Sequence, residues 1–420
     1  MTSIATSRAD TAPSTHLRDS GRDSGDGGCV AVVNAGSSSI KFALYDTAQD
    51  ADVLFRGQVE NIGLLPHLKV VDAAGDTIAE RRWPDAKLDH RAATNEIMAL
   101  GRELLAGRPV LAFGHRVVHG GTEFAQPARI DPAVIGSLAR LVPLAPLHQP
   151  HNLAPIEAIA AAAPHMPQVA CFDTAFHRRQ PAVAQQFALP RELTAAGVRR
   201  YGFHGLSYDY IVSQLRETDP ALARGRLVIA HLGNGASLCA VNDGRSVAST
   251  MGFTAVDGLM MGTRTGSLDP GVLLYLMEER GLDAKAMTDL LYRQSGLLGV
   301  SGISSDMRTL RQSSASEAAE AIALFVYRIV REVGSLVAAL GGLDGMVFTA
   351  GIGEHDVQTR ADVAAGCSWL GIALDADRNA KGHGVISRVD SSVQVLVMRT
   401  DEERMIARYT SELLGIGSRA

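Results

Sequence analysis

The sequence predicts an α/β protein built from two similar halves, and two observations carry that expectation. Near the start, the β-rich run CVAVVN (29–34) meets a turn of small residues, AGSSS, and then a second apolar run, IKFALYD (40–46). The same pattern returns as LVIAHLGNGASLCAVNDG at 227–244. Each reads as strand, tight turn, strand, and an internal duplication is the economical account of finding it twice. The second observation is a succession of helix, strand, glycine turn and helix late in the chain, the grammar of layered α/β domains.

Taken in order, residues 1–28 are rich in Ser, Thr, Asp, Arg and Gly and have no apolar segment. They read as a disordered tail, not a secretory signal, and Asp10, Asp19, Asp23 and Asp26 speak against a transit peptide. In both hairpins the Gly, Ser and Asn turn lets backbone N–H groups converge on one point with no bulky side chain in the way, which suits phosphate. Further on, Ile322, Phe325, Val326, Ile329, Val333, Leu336, Val337 and Leu340 recur at helical spacing, with Gly341 placed to stop the helix. A short strand at 346–348 and a turn at TAGIGEH (349–355) follow. Small-residue turns at strand ends in both halves place a nucleotide between two domains.

Composition narrows the function. The 420 residues carry 40 Lys and Arg against 45 Asp and Glu, a net charge of −5, so neither a nucleic-acid nor a membrane-surface partner is expected. With 46% hydrophobic residues the chain has the material for two packed cores. Cys29, Cys171, Cys239 and Cys367 form no CxxC pair, which fits a reducing cytoplasm. The most apolar helical stretch is interrupted by Arg328, Arg331 and Glu332, so no membrane span is expected. Neither a GxxxxGK[ST] phosphate loop nor a strand-associated GxGxxG nor an HRD and DFG pair occurs, which speaks against P-loop enzymes, dehydrogenases and protein kinases.

Between the glycine turns lie FGHRVVHGG (113–121), PLAPLHQPHNL (143–153), CFDTAFH (171–177), YGFHGLSY (201–208), MMGTRTGSLDPG (260–271) and SGISSDMR (301–308). The pairs His115 with His119 and His148 with His151 raise zinc as an alternative, but no HExxH pattern accompanies them. Histidines in such turns more often bond backbone or substrate oxygens. Arg116 and Arg264, each flanked by small or turn-forming residues, point to anion binding.

Together NAGSSSIK, GHRVVHGG, PLAPLH, FDTAFH, YGFHG, HLGNGAS, MGTRTGSLDPG with SGISSDMR, and AGIGE resemble the acetate kinase family, in family order over 30–407. The resemblance implies a duplicated ribonuclease-H-like, actin-like ATPase fold. Its N-terminal domain would span 29–176, joined by a C-terminal helix at about 404–420, and its nucleotide-binding domain 177–403, with the active site in the cleft. It implies a homodimer using ATP and ADP as co-substrates with Mg²⁺, or Mn²⁺ in its place, to phosphorylate acetate or another short-chain carboxylate. Asn34 and Glu402 match the metal-associated residues, although the adjacent Glu403 is an alternative to Glu402. Lys41 matches a phosphate-contacting lysine. His231, Leu232, Gly233, Asn234, Gly235, Asp306, Met307, Arg308, Gly351, Ile352, Gly353, Glu354 and His355 match nucleotide-contact segments. Arg116 matches the carboxylate-binding arginine, Asp173 the essential aspartate, His204 and Arg264 the transition-state stabilisers. Val118, Leu147 and Phe203 match the apolar pocket around the acetate methyl.

Three positions depart from the family pattern: His355 where GIGEN is usual, RTDEE (399–403) for PTNEE, and Ala255 where a proline is common. An alanine at 255 is expected to enlarge the methyl pocket, which keeps a propionate or short-chain acyl kinase as one alternative. A non-catalytic ATP-binding regulator is the other, and the set Arg116, Asp173, His204 and Arg264 argues against it.

Overall fold

The structure, a computed structural model, describes residues 27–47, 52–83 and 88–417. The expected tail lies outside these residues apart from Gly27 and Gly28.

Two sheets form the frame. The first holds β1 (Cys29–Ala35), β2 (Ile40–Asp46), β3 (Val53–Glu60), β4 (His67–Asp72), β5 (Thr77–Arg82), β6 (Val110–Val117), β7 (Ala128–Arg129) and β8 (Gln168–Phe172), in the order β5-β4-β3-β2-β1-β6-β8-β7. The second holds β9 (Arg226–Leu232), β10 (Ala236–Asn242), β11 (Arg245–Ser249), β12 (Gly345–Thr349), β13 (Gly384–Val385) and β14 (Gln394–Val397), in the order β11-β10-β9-β12-β14-β13. The second order superimposes on six strands of the first, β3-β2-β1-β6-β8-β7, to which the first adds β4 and β5 at its edge. In each, an antiparallel three-strand meander is followed by two strands parallel to the first, and a short antiparallel strand closes the edge. The duplication read from the two hairpins therefore extends to six strands of each sheet.

Both sheets are covered on both faces, which is why β1 and β9 are apolar at successive positions, 29–33 and 227–230. From β1, Cys29, Ala31, Val33 and Ala35 pack against Ala93, Ile97 and Leu100 of helix His90–Leu105. The alternate residues Val30 and Val32 meet Met405, Ile406 and Ala407 of the C-terminal helix, Glu402–Leu414. β9 repeats the arrangement. Val228, Ala230 and Leu232 face helix Ser316–Leu340, while Leu227 and Ile229 face Tyr208, Ile211, Val212 and Leu215 of helix Gly205–Thr218. Of the helical stripe, Ile322, Phe325, Ile329, Val333, Leu336 and Val337 are buried, Val326 and Leu340 partly so. Gly341 ends the helix at φ 69°, a left-handed conformation that a glycine adopts without strain.

One local expectation is corrected. Residues 349–355 are not an open turn: Ala350–His355 is a short helix that begins directly after β12, with Ala350 at φ 64°. The Glu354 carboxylate accepts from the Ala350 N–H at 2.9 Å and so caps the first turn. The hairpin turns also use some of their own donors, since Gly36 N–H donates to Ser39 O (2.8 Å) and Gly233 N–H to Gly235 O (3.1 Å).

Candidate active site

Strand direction gathers the charged residues. β1, β6 and β8 run parallel in the first sheet, and Asn34, Arg116 and Asp173 lie at or just beyond their carboxyl ends. β9, β12 and β14 do the same in the second, delivering His231 and the 233–235 turn, helix Ala350–His355, and Glu402 with Glu403. Carboxyl ends of parallel strands are the usual ligand crevice of α/β sheets, because backbone turns and side chains converge there without blocking the core.

Arg116 is the hub of the first cluster. Its Nε donates to Asp173 Oδ1 at 3.1 Å and its Nη2 to Asp173 Oδ2 at 2.6 Å, a two-point pair with the carboxylate almost fully buried. Nη1 reaches Asn34 Oδ1 at 3.3 Å, and Glu402 Oε2 stands 3.8 Å from Nε. Asn34 Nδ2 donates to Glu403 Oε1 at 3.0 Å, so both adjacent glutamates face this cluster. Burial alone would weaken the Arg116 charge, and the facing Asp173, with Glu402, more than restores it. Burial pushes Glu402 upward, and the negative Asp173 and Glu403 add to the shift against the pull of Arg116. Lys41, paired with Asn34 across the β1–β2 hairpin, lies near enough to lower Glu402 by its charge.

The second cluster comes from three loops. His204 precedes helix Gly205–Thr218 in a left-handed conformation, φ 57°. It stacks on His231 with ring centroids 4.1 Å apart. Its Nδ1 lies 2.8 Å from Ser237 Oγ, and a Cβ placed on Gly235 would sit 3.3 Å from its Nε2 and 3.8 Å from Arg264 Nη1. Gly235 thus brings the β9–β10 turn against both side chains. Arg264 Nη1 donates to Ala255 O at 3.0 Å, and Nη2 lies 3.3 Å from His148 Nε2. Burial, with the charges of Arg264 and Arg116, holds His148 down to about 3, so it is neutral and accepts from Arg264. His231 is likewise pushed down to about 3 by burial and then by Arg116.

Between the clusters is a small apolar cavity of about 10 Å³. Val118, Leu147, Phe203 and Ala255 line it together with Leu144, Ala145, Pro146, His148, Thr254 and Tyr292. The nucleotide-type segments join on one side. Thr349 pairs with His231 between β12 and β9, a Cβ on Gly233 would lie 3.8 Å from the Ala350 methyl, and Gly262 N–H donates to Asn234 O at 3.0 Å. Gly262 also lies against Ser305, next to Asp306.

The sequence profile of the Acetokinase family matches residues 29–408. The chain belongs to the acetokinase family. Its sequence is 55% identical to the acetate kinase of Rhodopseudomonas palustris over 388 residues, 91% of this chain and 97% of that one. In structure it is similar to Porphyromonas gingivalis acetate kinase, with TM-score 0.82 at 40% identity over 92% of this chain and all of that one. It is also similar to a propionate kinase from Francisella tularensis, with TM-score 0.85 at 33% identity over 92% and 99% of the two chains. The fold is the actin-like pair of α/β units, and the protein is a kinase.

Within this acetokinase, most of the sequence-derived candidates meet in the two clusters and the cavity between them. Leu232 and Met307 do not point into the cleft; their side chains belong to the second core. Asp306 caps helix Met307–Gln312 through the Arg308 N–H and pairs with the outward Arg308 guanidinium at 2.6 Å. Glu354 is turned inward onto Ala350 and Thr400 backbone, whereas Gly351 and His355 are exposed. Two participants were not singled out from sequence, Tyr292 on the cavity wall and Ser237 behind His204, while His148, named there only in a zinc pair, stands against Arg264, and Glu403, named only as an alternative to Glu402, stands against Asn34. His148 had a signal in PLAPLH; a lone Ser or Tyr in a strand or helix has none.

Proposed function

We propose that the chain is a cytoplasmic, Mg²⁺-dependent acetate kinase. It transfers the γ-phosphoryl group of ATP directly and reversibly to acetate, giving acetyl phosphate and ADP. The observation that supports this most is the Arg116–Asp173 pair beside a methyl-sized cavity. A carboxylic acid has a pKa near 4–5 and is already ionised at pH 7, so its oxygen attacks phosphorus with no base needed. The obstacle is repulsion between two anions. Of the five guanidinium N–H groups, Asp173 and Asn34 occupy three; one on Nη1 and one on Nη2 remain for the acetate carboxylate. Asp173 then acts by aiming Arg116. Arg264, aimed by His148 and Ala255 O, and neutral His204 face the 233–235 turn, where charge on the transferring phosphoryl oxygens would be held.

The donors fit Mg²⁺. Asn34 and Glu402 offer oxygen ligands, which this ion prefers, and it is commonly held by one or two protein groups with water and substrate phosphate completing its shell. Asn34 and Glu402 would hold the ion, or Mn²⁺, with Glu403 orienting Asn34; when bound it neutralises phosphate charge. The test is purified protein with ATP, Mg²⁺, hydroxylamine and formate, acetate, propionate or butyrate. Hydroxamate with acetate is expected; ATP binding with no hydroxamate would leave only a nucleotide-binding regulator.

Acyl range follows from the cavity. Tyr292, Leu144 and Thr254 line the cavity with Ala255 and leave about 10 Å³, near the space of one water-sized probe, which supports a pocket for the acetate methyl. Acetate is therefore expected to exceed propionate in kcat/KM by about 10- to 200-fold, the range for one methylene. Tyr292→Ala is expected to narrow that ratio. Equal use of both acids by the unmodified protein would overturn the assignment of this cavity.

A homodimer is supported by helix Pro270–Glu278, none of whose residues is buried although it reads PGVLLYLME. Leu274, Tyr275 and Met277 are about half exposed, and Arg328 bonded to Ser267 O (2.9 Å) sets the outward Leu324 and Tyr327 beside the start of this helix. Soluble monomers rarely leave such a patch bare, and a second copy offers the matching apolar face. Leu274→Asp is expected to halve the mass seen by light scattering while leaving the helical circular dichroism unchanged; an unaltered mass places the interface elsewhere. All four cysteines are free and buried, which suits a reducing compartment, and among the described residues no helix is long and apolar enough to cross a membrane.

A further inference from the structure

His204 has a hydrogen-bond partner at Nδ1 and none at Nε2 among the contacts of the described residues. The Nδ1 partner is Ser237 Oγ, at 2.8 Å, and the same hydroxyl is bonded to the phenol of Tyr208. Ser237 and Tyr208 are both fully buried. We infer that Tyr208 and Ser237 set the tautomer of His204, so that its proton sits on Nε2 and faces the phosphate turn.

Counting protons decides the direction. Among the described residues Ser237 is the sole partner of the Tyr208 hydroxyl, which is fully buried away from bulk solvent. A buried O–H with no acceptor is destabilised by about 1–3 kcal/mol, so Tyr208 donates to Ser237. The single Ser237 proton then has one acceptor left, His204 Nδ1. An Nδ1 that accepts carries no proton, and a neutral imidazole must hold it on the other nitrogen. The ring is neutral because burial, His231, Arg116 and Arg264 all disfavour its charge.

Geometry says where that proton points. The Nε2 atom is the nearest atom to the position a Cβ on Gly235 would take, 3.3 Å away. It therefore faces the 233–235 turn as a preorganised donor to an oxygen anion. The stacked partner repeats the pattern, with Thr400 Oγ1 donating to Ser207 Oγ at 2.9 Å and Ser207 bonded to His231 Nδ1 at 2.8 Å. Two imidazoles side by side are thus turned the same way by two hydroxyl pairs, one from helix Gly205–Thr218 with β10 and one from that helix with Thr400. Tyr208 and Ser237 are positioning residues, and their effect on turnover rests on the reading of His204 given above.

The test is tautomer-sensitive ¹H–¹⁵N correlation of the full-length protein labelled with [¹⁵N]histidine, His204 being identified by its loss in His204→Gln. The unmodified protein is expected to show a protonated-type Nε2 and an unprotonated-type Nδ1 at His204. A proton on Nδ1, or an even mixture, overturns the inference without any activity measurement. Tyr208→Phe keeps the ring and its packing and removes only the hydroxyl, so the Nδ1–H form is expected to become populated; Ser237→Ala is expected to remove the preference altogether. In turnover, kcat is expected to fall on the order of 10-fold and up to about 10²-fold respectively, with KM for ATP unchanged, at or below the effect of deleting a preorganised donor. A lost preference with undiminished kcat would leave the tautomer control standing and overturn the catalytic reading of His204.

Discussion

Arg116→Ala is expected to lower kcat/KM for acetate by about 10²- to 10⁴-fold, the range for removing a preorganised charge from a site largely closed to water. Three things are lost together. The acetate carboxylate loses its two-point partner, the approach of one anion to another loses a compensating charge, and Asp173 and Glu402, with Glu403, face each other without the guanidinium between them. The last effect distinguishes Arg116 from a surface arginine, because Asp173 is almost fully buried and cannot turn to water. Arg116→Lys is expected to recover little, since an ammonium, with its three donors on one nitrogen, lacks the planar fork that pairs with both Asp173 oxygens and still presents donors to a substrate carboxylate. Steady-state kinetics with acetate varied at saturating ATP check this; turnover within a few-fold of normal would remove Arg116 from the site.

Asp173→Asn is expected to reduce kcat by about 10²- to 10³-fold without changing the shape of the pH–rate profile. The amide keeps the volume, but one of its two heads is now a donor facing a donor on Arg116, so the guanidinium is no longer held by both edges. If Asp173 acts only through Arg116, the double variant Arg116→Ala with Asp173→Asn is no worse than Arg116→Ala alone, because the two form one unit. Additive losses, or disappearance of one ionisation from the profile, would show that the carboxylate moves a proton itself.

Local chemistry made several elements readable in advance. Gly341 ends its helix where the apolar spacing ends, and both hairpins fall within two residues of the expected bounds. Alternating apolar runs and small turn residues act over a few positions, so they can be read from a few positions. The same economy misled at 349–355, where glycines suggested an open turn and the Glu354 carboxylate, four residues on, capped a helix instead. At Ala255 a single residue could not say what completes the wall around it; Tyr292, from helix Ala284–Arg293, lines the same cavity.

The family, the kinase activity and the identity of the charged residues were therefore present in the order of motifs along 420 residues. What no linear reading held is which of those residues touch. Asn34 meets Glu403, Arg264 meets His148, and His204 meets Ser237 and through it Tyr208, across separations of 369, 116 and 33 positions for the direct pairs. Such pairs are set by sheet register and by two packed halves closing on a common cleft. A hydroxyl or carboxylate carries no local mark of the partner it will find, and its function here depends on the proton or charge that partner supplies.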